Sequence, residues 1–161
     1  MKDRSPEPFV SFYKKIRFKQ RSSSWVKKYD ADDILGYGYG AANFLSVPFR
    51  EQRDMWVARY YTDFGAPREF LKVIAQSENL VYYEQLFIDD DNSYLDSIPF
   101  FHKPSSNQMV RVTQGILGFK KKRLMEYFSD CPGIIPFLNT KNPRNSGILD
   151  LYEFYLANCA E

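Results

Sequence analysis

The chain has 161 residues, 44% of them apolar and 26% charged, with a formal net charge of +2. That is the length of one domain with enough apolar surface for a core, and it excludes disorder as the general state. No apolar run approaches the roughly 18–20 residues that cross a bilayer as a helix, and the polar start lacks the apolar stretch of a signal peptide, which read literally predicts a cytoplasmic protein.

Residues 1–10 hold two prolines and four charges and predict a flexible arm. In FVSFYKKIRFKQR (9–21), Phe12, Ile16 and Phe18 alternate with Lys15, Arg17 and Lys19, which predicts a strand with one wet face. A turn at 22–24, a second strand over 25–29 and a polar break at 30–33 follow. ILGYGYGAANFLSVPF (34–49) predicts two short strands around a turn at 40–43, with Pro48 ending the second or lying at an edge. RDMWVARYYTDF (53–64) alternates as one strand, with a short helix as the competing reading, and Gly65-Ala66-Pro67 stops it.

Two apolar runs around Ser77-Glu78-Asn79 predict a hairpin over 69–87. A polar turn at 89–93 leads to a partner strand over 93–103, then a loop at 104–107. From Gln108 the spacing becomes helical. Leu117, Leu124 and Phe128 fall near one face, with Lys120, Lys121, Lys122 and Arg123 mostly outside it. This helix, 119–131, ends at Pro132-Gly133. A short apolar element (133–139) and a loop (142–146) with an N-cap at Asn145 or Ser146 precede a last helix. Ile148, Leu151, Tyr152, Tyr155 and Cys159 recur along it at helical spacing. The predicted class is α+β: a single domain over 1–161, antiparallel and β-rich over 11–103, then two or three helices within 108–160.

The residues that usually carry chemistry are sparse. His102 is the only histidine, so a His-built zinc site or catalytic triad has little to stand on, and the residue reads as an exposed strand end. Gly36, Gly38 and Gly40 lack the later glycine and the βαβ context of a dinucleotide fingerprint. They read as a bulged strand pair with tyrosines packed over glycine backbone. Asp89-Asp90-Asp91-Asn92 lacks the spaced oxygens, central glycine and distal Glu of a calcium loop, and Asp30, Asp32 and Asp33 read the same way. No metal or cofactor is predicted. Cys131 and Cys159 each fall at the end of a predicted helix. They are either bridged, which implies an oxidising compartment, or two reduced thiols.

The charge is uneven. Residues 1–29 carry nine Lys or Arg against two acids, +7 there against −5 over the remainder. Lys14, Lys15, Arg17 and Lys19 on the arm, with Lys120, Lys121, Lys122 and Arg123 on the helix, are candidate anion-binding residues. Solvated faces are the plainer reading of both groups.

The segments FLKVIAQSENLVYYEQ, FKKKRLMEYFSDCPGIIPFLN and ILDLYEFYLANC resemble the C-terminal part of small uncharacterised envelope or secreted proteins of Bacteroidetes. KIRFKQ and DADDILGYGY are similar to their upstream strand, so the resemblance covers most of 14–159. Glu153-Phe154-Tyr155 departs from their usual Tyr-Asn, and their signal peptide has no counterpart. The resemblance implies an exported, non-catalytic β-plus-α module with a role in binding or assembly.

The expected function is therefore non-enzymatic: a macromolecular binding or assembly module with a protein partner, and homodimerisation as one form of partnership. A cytoplasmic immunity protein that neutralises a toxin, and a nucleic-acid-binding accessory using the basic arm, are the alternatives. The aromatic surplus of fourteen Phe, twelve Tyr and two Trp suggests rings left at a surface. Tyr37, Tyr39, Tyr60, Tyr61, Tyr82 and Tyr83 are the candidates.

Overall fold

The computed structural model describes residues 14–19, 22, 24–55, 57–88, 95–114, 118–140 and 147–160. The expected arm (1–10), the polar turn at 89–93, Leu117 and the loop at 142–146 with its N-cap candidates lie outside them. Among the described residues there are ten strands and then three helices, the predicted α+β order. The strands are β1 (Lys15–Lys19), β2 (Val26–Asp30), β3 (Gly36–Tyr39), β4 (Ala42–Pro48), β5 (Arg50–Asp54), β6 (Val57–Tyr61), β7 (Arg68–Gln76), β8 (Val81–Ile88), β9 (Leu95–His102) and β10 (Gln108–Arg111). The helices are α1 (Lys121–Tyr127), α2 (Ile134–Thr140) and α3 (Gly147–Asn158).

Two assignments need correcting. Residues 53–64 are neither one strand nor a helix: β5 and β6 form a hairpin in which Asp54 pairs with Val57. Its tight turn runs through Met55, which takes a positive φ of 42° without being glycine. The helical stretch also begins later than Gln108, because β10 is a strand between β9 and β6.

β1 and β2 make a separate two-stranded ribbon, and the other eight strands form one antiparallel sheet in the order β3-β4-β7-β8-β9-β10-β6-β5. β4 is second in that order and β5 is last, yet Phe49 alone separates them along the chain. One residue spans only about 3.8 Å between successive Cα atoms, so the sheet must curl until its ends meet. Phe49 marks the corner. Its ring lies 5.8 Å from Tyr60 and 5.3 Å from Phe100, centroid to centroid. The concave face is filled by Val47, Phe49, Tyr60, Leu71, Val81, Tyr83, Phe100 and Met109, all buried and drawn from six strands and the corner.

The convex face carries the helices. Leu80, Tyr82, Phe101, Val110 and Val112 pack under Leu124 and Phe128 from α1 and the turn after it, Ile134 and Leu138 from α2, and Leu151, Tyr152 and Tyr155 from α3. The buried positions of α3 are those its helical spacing predicts. Further along this face, Phe44 and Phe70 are covered by Ile16 of the ribbon and by Ala31. Buried Ser46 donates to the Ala31 carbonyl and accepts from Arg68 Nε at 2.7 Å, which ties the ribbon's exit to the sheet. The glycine string is structural here. A Cβ on Gly36 would lie 2.3 Å from the Phe44 carbonyl oxygen, and Tyr37 stacks on Phe44 at 4.7 Å.

Cys131, just beyond the turn that ends α1, and Cys159, just beyond α3, are joined in a disulfide with Cα atoms 5.4 Å apart. The bridge closes a span of 28 residues containing α2 and α3. Replacing both cysteines with serine is expected to lower the free energy of unfolding by about 3–4 kcal/mol. Equilibrium urea denaturation of the variant beside the oxidised protein measures this, and equal midpoints would show that the bridge adds no stability.

Candidate functional site

The chain reverses just before α1. Gln114 N donates to Gly118 O at 2.9 Å, Lys120 N donates to Val112 O at 2.9 Å, and Thr113 bridges to Phe119. Gly118 takes a φ of 90° in this reversal, a conformation few other residues accept. The fold-back sets Lys120, the residue before α1, beside Arg111, the last residue of β10. One turn into α1, Arg123 faces the same space. Two adjoining hollows of about 230 and 360 Å³ share Ala58, Tyr60, Arg111 and Lys120 as lining. Together they form a cleft at the open mouth of the curled sheet, with α1 as one wall.

Cations outnumber anions in this cleft. Arg53, Arg59, Arg111, Lys120 and Arg123 line it against Glu51 and Glu126. Both carboxylates are already engaged, Glu51 by Arg53 at 2.6 Å and Glu126 by Arg123 at 2.7 Å. Arg111 Nε donates to Thr113 O at 2.9 Å, which holds its guanidinium in place. Lys120 forms no ion pair with any described residue. Burial, and then the charges of Arg111 and Arg123, push its ammonium below the ordinary lysine range, against a smaller opposing pull from Glu51. The Tyr60 hydroxyl is pushed up, first by burial and then by Glu51, while its hydrogen bond with Arg111 pulls the other way. The cleft therefore offers ammonium, guanidinium and hydroxyl donors to an anion, with an excess of positive charge that no described side chain neutralises.

The predicted cations do not form one site. Lys120 and Arg123 line the cleft. Lys121 instead reaches Asn139 Oδ1 at 3.3 Å, and Lys122 is exposed. Lys14, Lys15, Arg17 and Lys19 belong to the ribbon, which lies over Phe44 of β4 and Phe70 of β7, whereas α1 stands against β10, three strands further along the sheet. The sequence reading missed three of the cleft's cations, Arg53, Arg59 and, with the largest effect on Lys120, Arg111. Reading QMVR as a strand would have found it, because Arg111 pairs with Phe100 and follows Met109 by two residues on the same face.

Of the six tyrosines expected at a surface, Tyr60, Tyr82 and Tyr83 are buried. β8 and β6 lie within a sheet covered on both faces, so successive tyrosines such as Tyr82 and Tyr83 enter two different cores. Tyr37 is half-buried between Phe44 and Phe70, and Tyr61 is half-buried beneath the Arg50 guanidinium at 5.0 Å. Tyr39 alone of the six is exposed. His102 does stand at a strand end, but half-buried rather than exposed. Its Nε2 lies 3.0 Å from Ser106 O and 3.3 Å from Thr62 Oγ1. The carbonyl must accept, so Nε2 carries the hydrogen and fastens the turn after β9. Among the described residues no group of three or more His, Cys, Asp or Glu is placed to share a metal ion.

No protein-family model, curated protein or solved structure matches this chain.

Two outcomes follow from these environments. Burial lowers the affinity of His102 for a proton in the folded state, against a smaller opposing effect of the Ser106 bond. As pH falls below about 6.5 the unfolded chain takes up the proton first. Stability is then lost until the pH passes the folded-state value, below which this loss levels off. Urea midpoints from pH 7.5 to 5 should decline, and His102→Gln should flatten that decline. Side-chain NMR should also find the Lys120 ammonium titrating below the ordinary lysine range; a Lys120 signal that titrates within that range would contradict the crowding described here.

Proposed function

We propose that this protein is a non-enzymatic binding module that holds an acidic segment of a protein partner, with a carboxylate of that segment in the Arg111–Lys120–Arg123 cleft. The observation that carries the proposal is the convergence of Arg111 from β10 and Arg123 from α1 on Lys120, which forms no ion pair with any described residue while Glu51 is engaged by Arg53. Guanidinium groups in this cleft already take carboxylates, in the Arg53–Glu51 and Arg123–Glu126 pairs. A carboxylate brought in by a partner would meet the same chemistry in a sheltered place, where charge-assisted hydrogen bonds are strongest. Met55 stands at the rim, 91% exposed, and offers an apolar contact to the residue next to the bound acid. Flexible methionine side chains suit such adaptable contacts.

Titration of the 15N-labelled protein with a hexaglutamate peptide tests the reading. The Arg111 Nε–H and Lys120 signals should shift with the peptide, and the Lys120 ammonium should titrate higher once the carboxylate is bound. Arg111→Gln combined with Lys120→Gln should weaken the peptide at least tenfold. Binding that the double variant leaves unchanged would overturn the proposal. So would inorganic phosphate saturating the same groups at lower concentration than the peptide, which would assign the cleft to phosphoryl groups.

A further inference from the structure

The ribbon of β1 and β2 is absorbed by neither the fold nor the cleft. Its base is fixed: Ile16 packs against the Phe44–Phe70 cluster, Lys15 pairs with Asp30 at 3.2 Å, and the Ala31 carbonyl accepts from Ser46. Its outer part is exposed and carries large apolar side chains, Phe18 at 57%, Trp25 at 79% and Val26 at 51% exposure. Two-stranded ribbons are marginal in water by themselves, and grouped exposed rings commonly mark a contact surface.

The register sorts the charges. Lys15 faces Asp30, Arg17 faces Lys28, and Lys19 faces Val26, so Lys15, Arg17, Lys19 and Lys28 share one face of the ribbon. Phe18 pairs with Lys27 on the other face. Over residues 14–30 of the sequence seven Lys or Arg meet one acid, Asp30. Arg17, Lys19, Lys27 and Lys28 form no ion pair with any described residue. Along β1 the cations recur every second residue, about 6.6–6.8 Å apart, a row that successive phosphates of an extended strand can follow.

We infer that this ribbon binds single-stranded nucleic acid, its cations tracking the phosphates while Phe18 and Trp25 stack with bases. A flat anionic membrane meets one face of the ribbon at a time, and so would gain either the row of cations or the Phe18 face. A flexible polyanion with aromatic bases can wrap both. An acidic polypeptide satisfies the cations but gives the rings no π-face to stack on, and stacking contributes substantially to sequence-tolerant single-strand binding. The inference is independent of the cleft, which lies against β10 and α1.

Fluorescence anisotropy of a labelled 20-mer of thymidylate tests it across a salt series. The intact protein should bind at low salt and weaken steeply as salt rises. Arg17→Ala, Lys19→Ala and Lys28→Ala combined should weaken binding more than tenfold and make the salt dependence shallower by about 2, at roughly 0.7 for each phosphate no longer neutralised. Phe18→Ala should weaken binding several-fold and leave the salt slope unchanged. Arg111→Gln with Lys120→Gln should change neither, which separates this test from that of the cleft. Circular dichroism of each variant should match the parent, since all the ribbon replacements are at exposed positions. No binding at low salt would overturn the inference, as would a Phe18→Ala variant that binds like the parent. Equal competition by polyglutamate, or binding to phosphatidylglycerol vesicles with the oligonucleotide left free, would reassign the surface and equally overturn it.

Discussion

Lys103 leaves the end of β9 and places its ammonium 5.0–5.4 Å from the ring centres of Tyr127, Phe128 and Tyr155, and 2.7 Å from Asp130. The side chain is only 15% exposed, and a buried charge is tolerable only when paired and hydrogen-bonded. Here the partners come from α1, the turn after it and α3, so the ammonium is neutralised only when the helices are seated on the sheet. The reverse also holds. Burial raises the proton affinity of Asp130, but hydrogen bonds from Lys103 and Tyr155 outweigh it and keep the carboxyl below the usual carboxylate range. Tyr155 is pushed up to about 12, by burial and then by Asp130, and so stays a donor at neutral pH. Cys131 adjoins this network and bonds covalently to Cys159 after α3. Polar geometry and covalent closure thus select the same packing.

The position of the cleft descends from that packing. Tyr127 accepts from Lys103 N at 2.7 Å and donates to Gln108 O at 3.1 Å, spanning the turn between β9 and β10. α1 is thereby fixed against the strand that ends in Arg111. Arg123, one turn back along α1, can come near Arg111 only because Tyr127 holds the helix at this register. The curled sheet adds a second constraint. Its concave side is packed solid with aromatic and aliphatic side chains around the Phe49 corner, so the groups that remain free to meet a ligand gather at its mouth. Tyr60 shows both constraints at once, its ring in the core and its hydroxyl beside Arg111.

The local parts of this fold were legible because their signals are local. Alternation with a polar interruption at Ser77-Glu78-Asn79 gave the β7–β8 hairpin, and helical spacing gave α3 nearly to the residue. The β5–β6 hairpin was hidden because its turn uses Met55 at positive φ rather than the Gly or Asn that usually marks such a turn. β10 was hidden by its length, since four residues are too few to distinguish alternation from helical spacing. Closure at Phe49 follows from strand order, which no stretch of the chain encodes alone. The same limit governed the site. Lys120 and Arg123 stood out as a run, but Arg111 joins them only through the reversal at Gly118. Tyr82 and Tyr83 looked like surplus because a single sequence does not show that both faces of β8 are covered.

The two basic regions differ in how much order binding would impose. In the cleft, Arg111 is held by the Thr113 carbonyl and Arg123 by Glu126, and the backbone at Lys120 is tied to Val112. An anion entering there finds donors already placed, so little side-chain entropy is lost and a single well-fitted group can suffice. On the ribbon, Arg17, Lys19, Lys27 and Lys28 have no comparable restraints among the described residues. Each would give up about 0.5–1.5 kcal/mol of rotamer freedom on contact. Such a surface is poorly suited to one small anion and better suited to a repeating one, where several modest contacts share the ordering of a single chain. The fold thus sets a stiff site of few charges apart from a looser strip of many, and these favour different kinds of anionic partner.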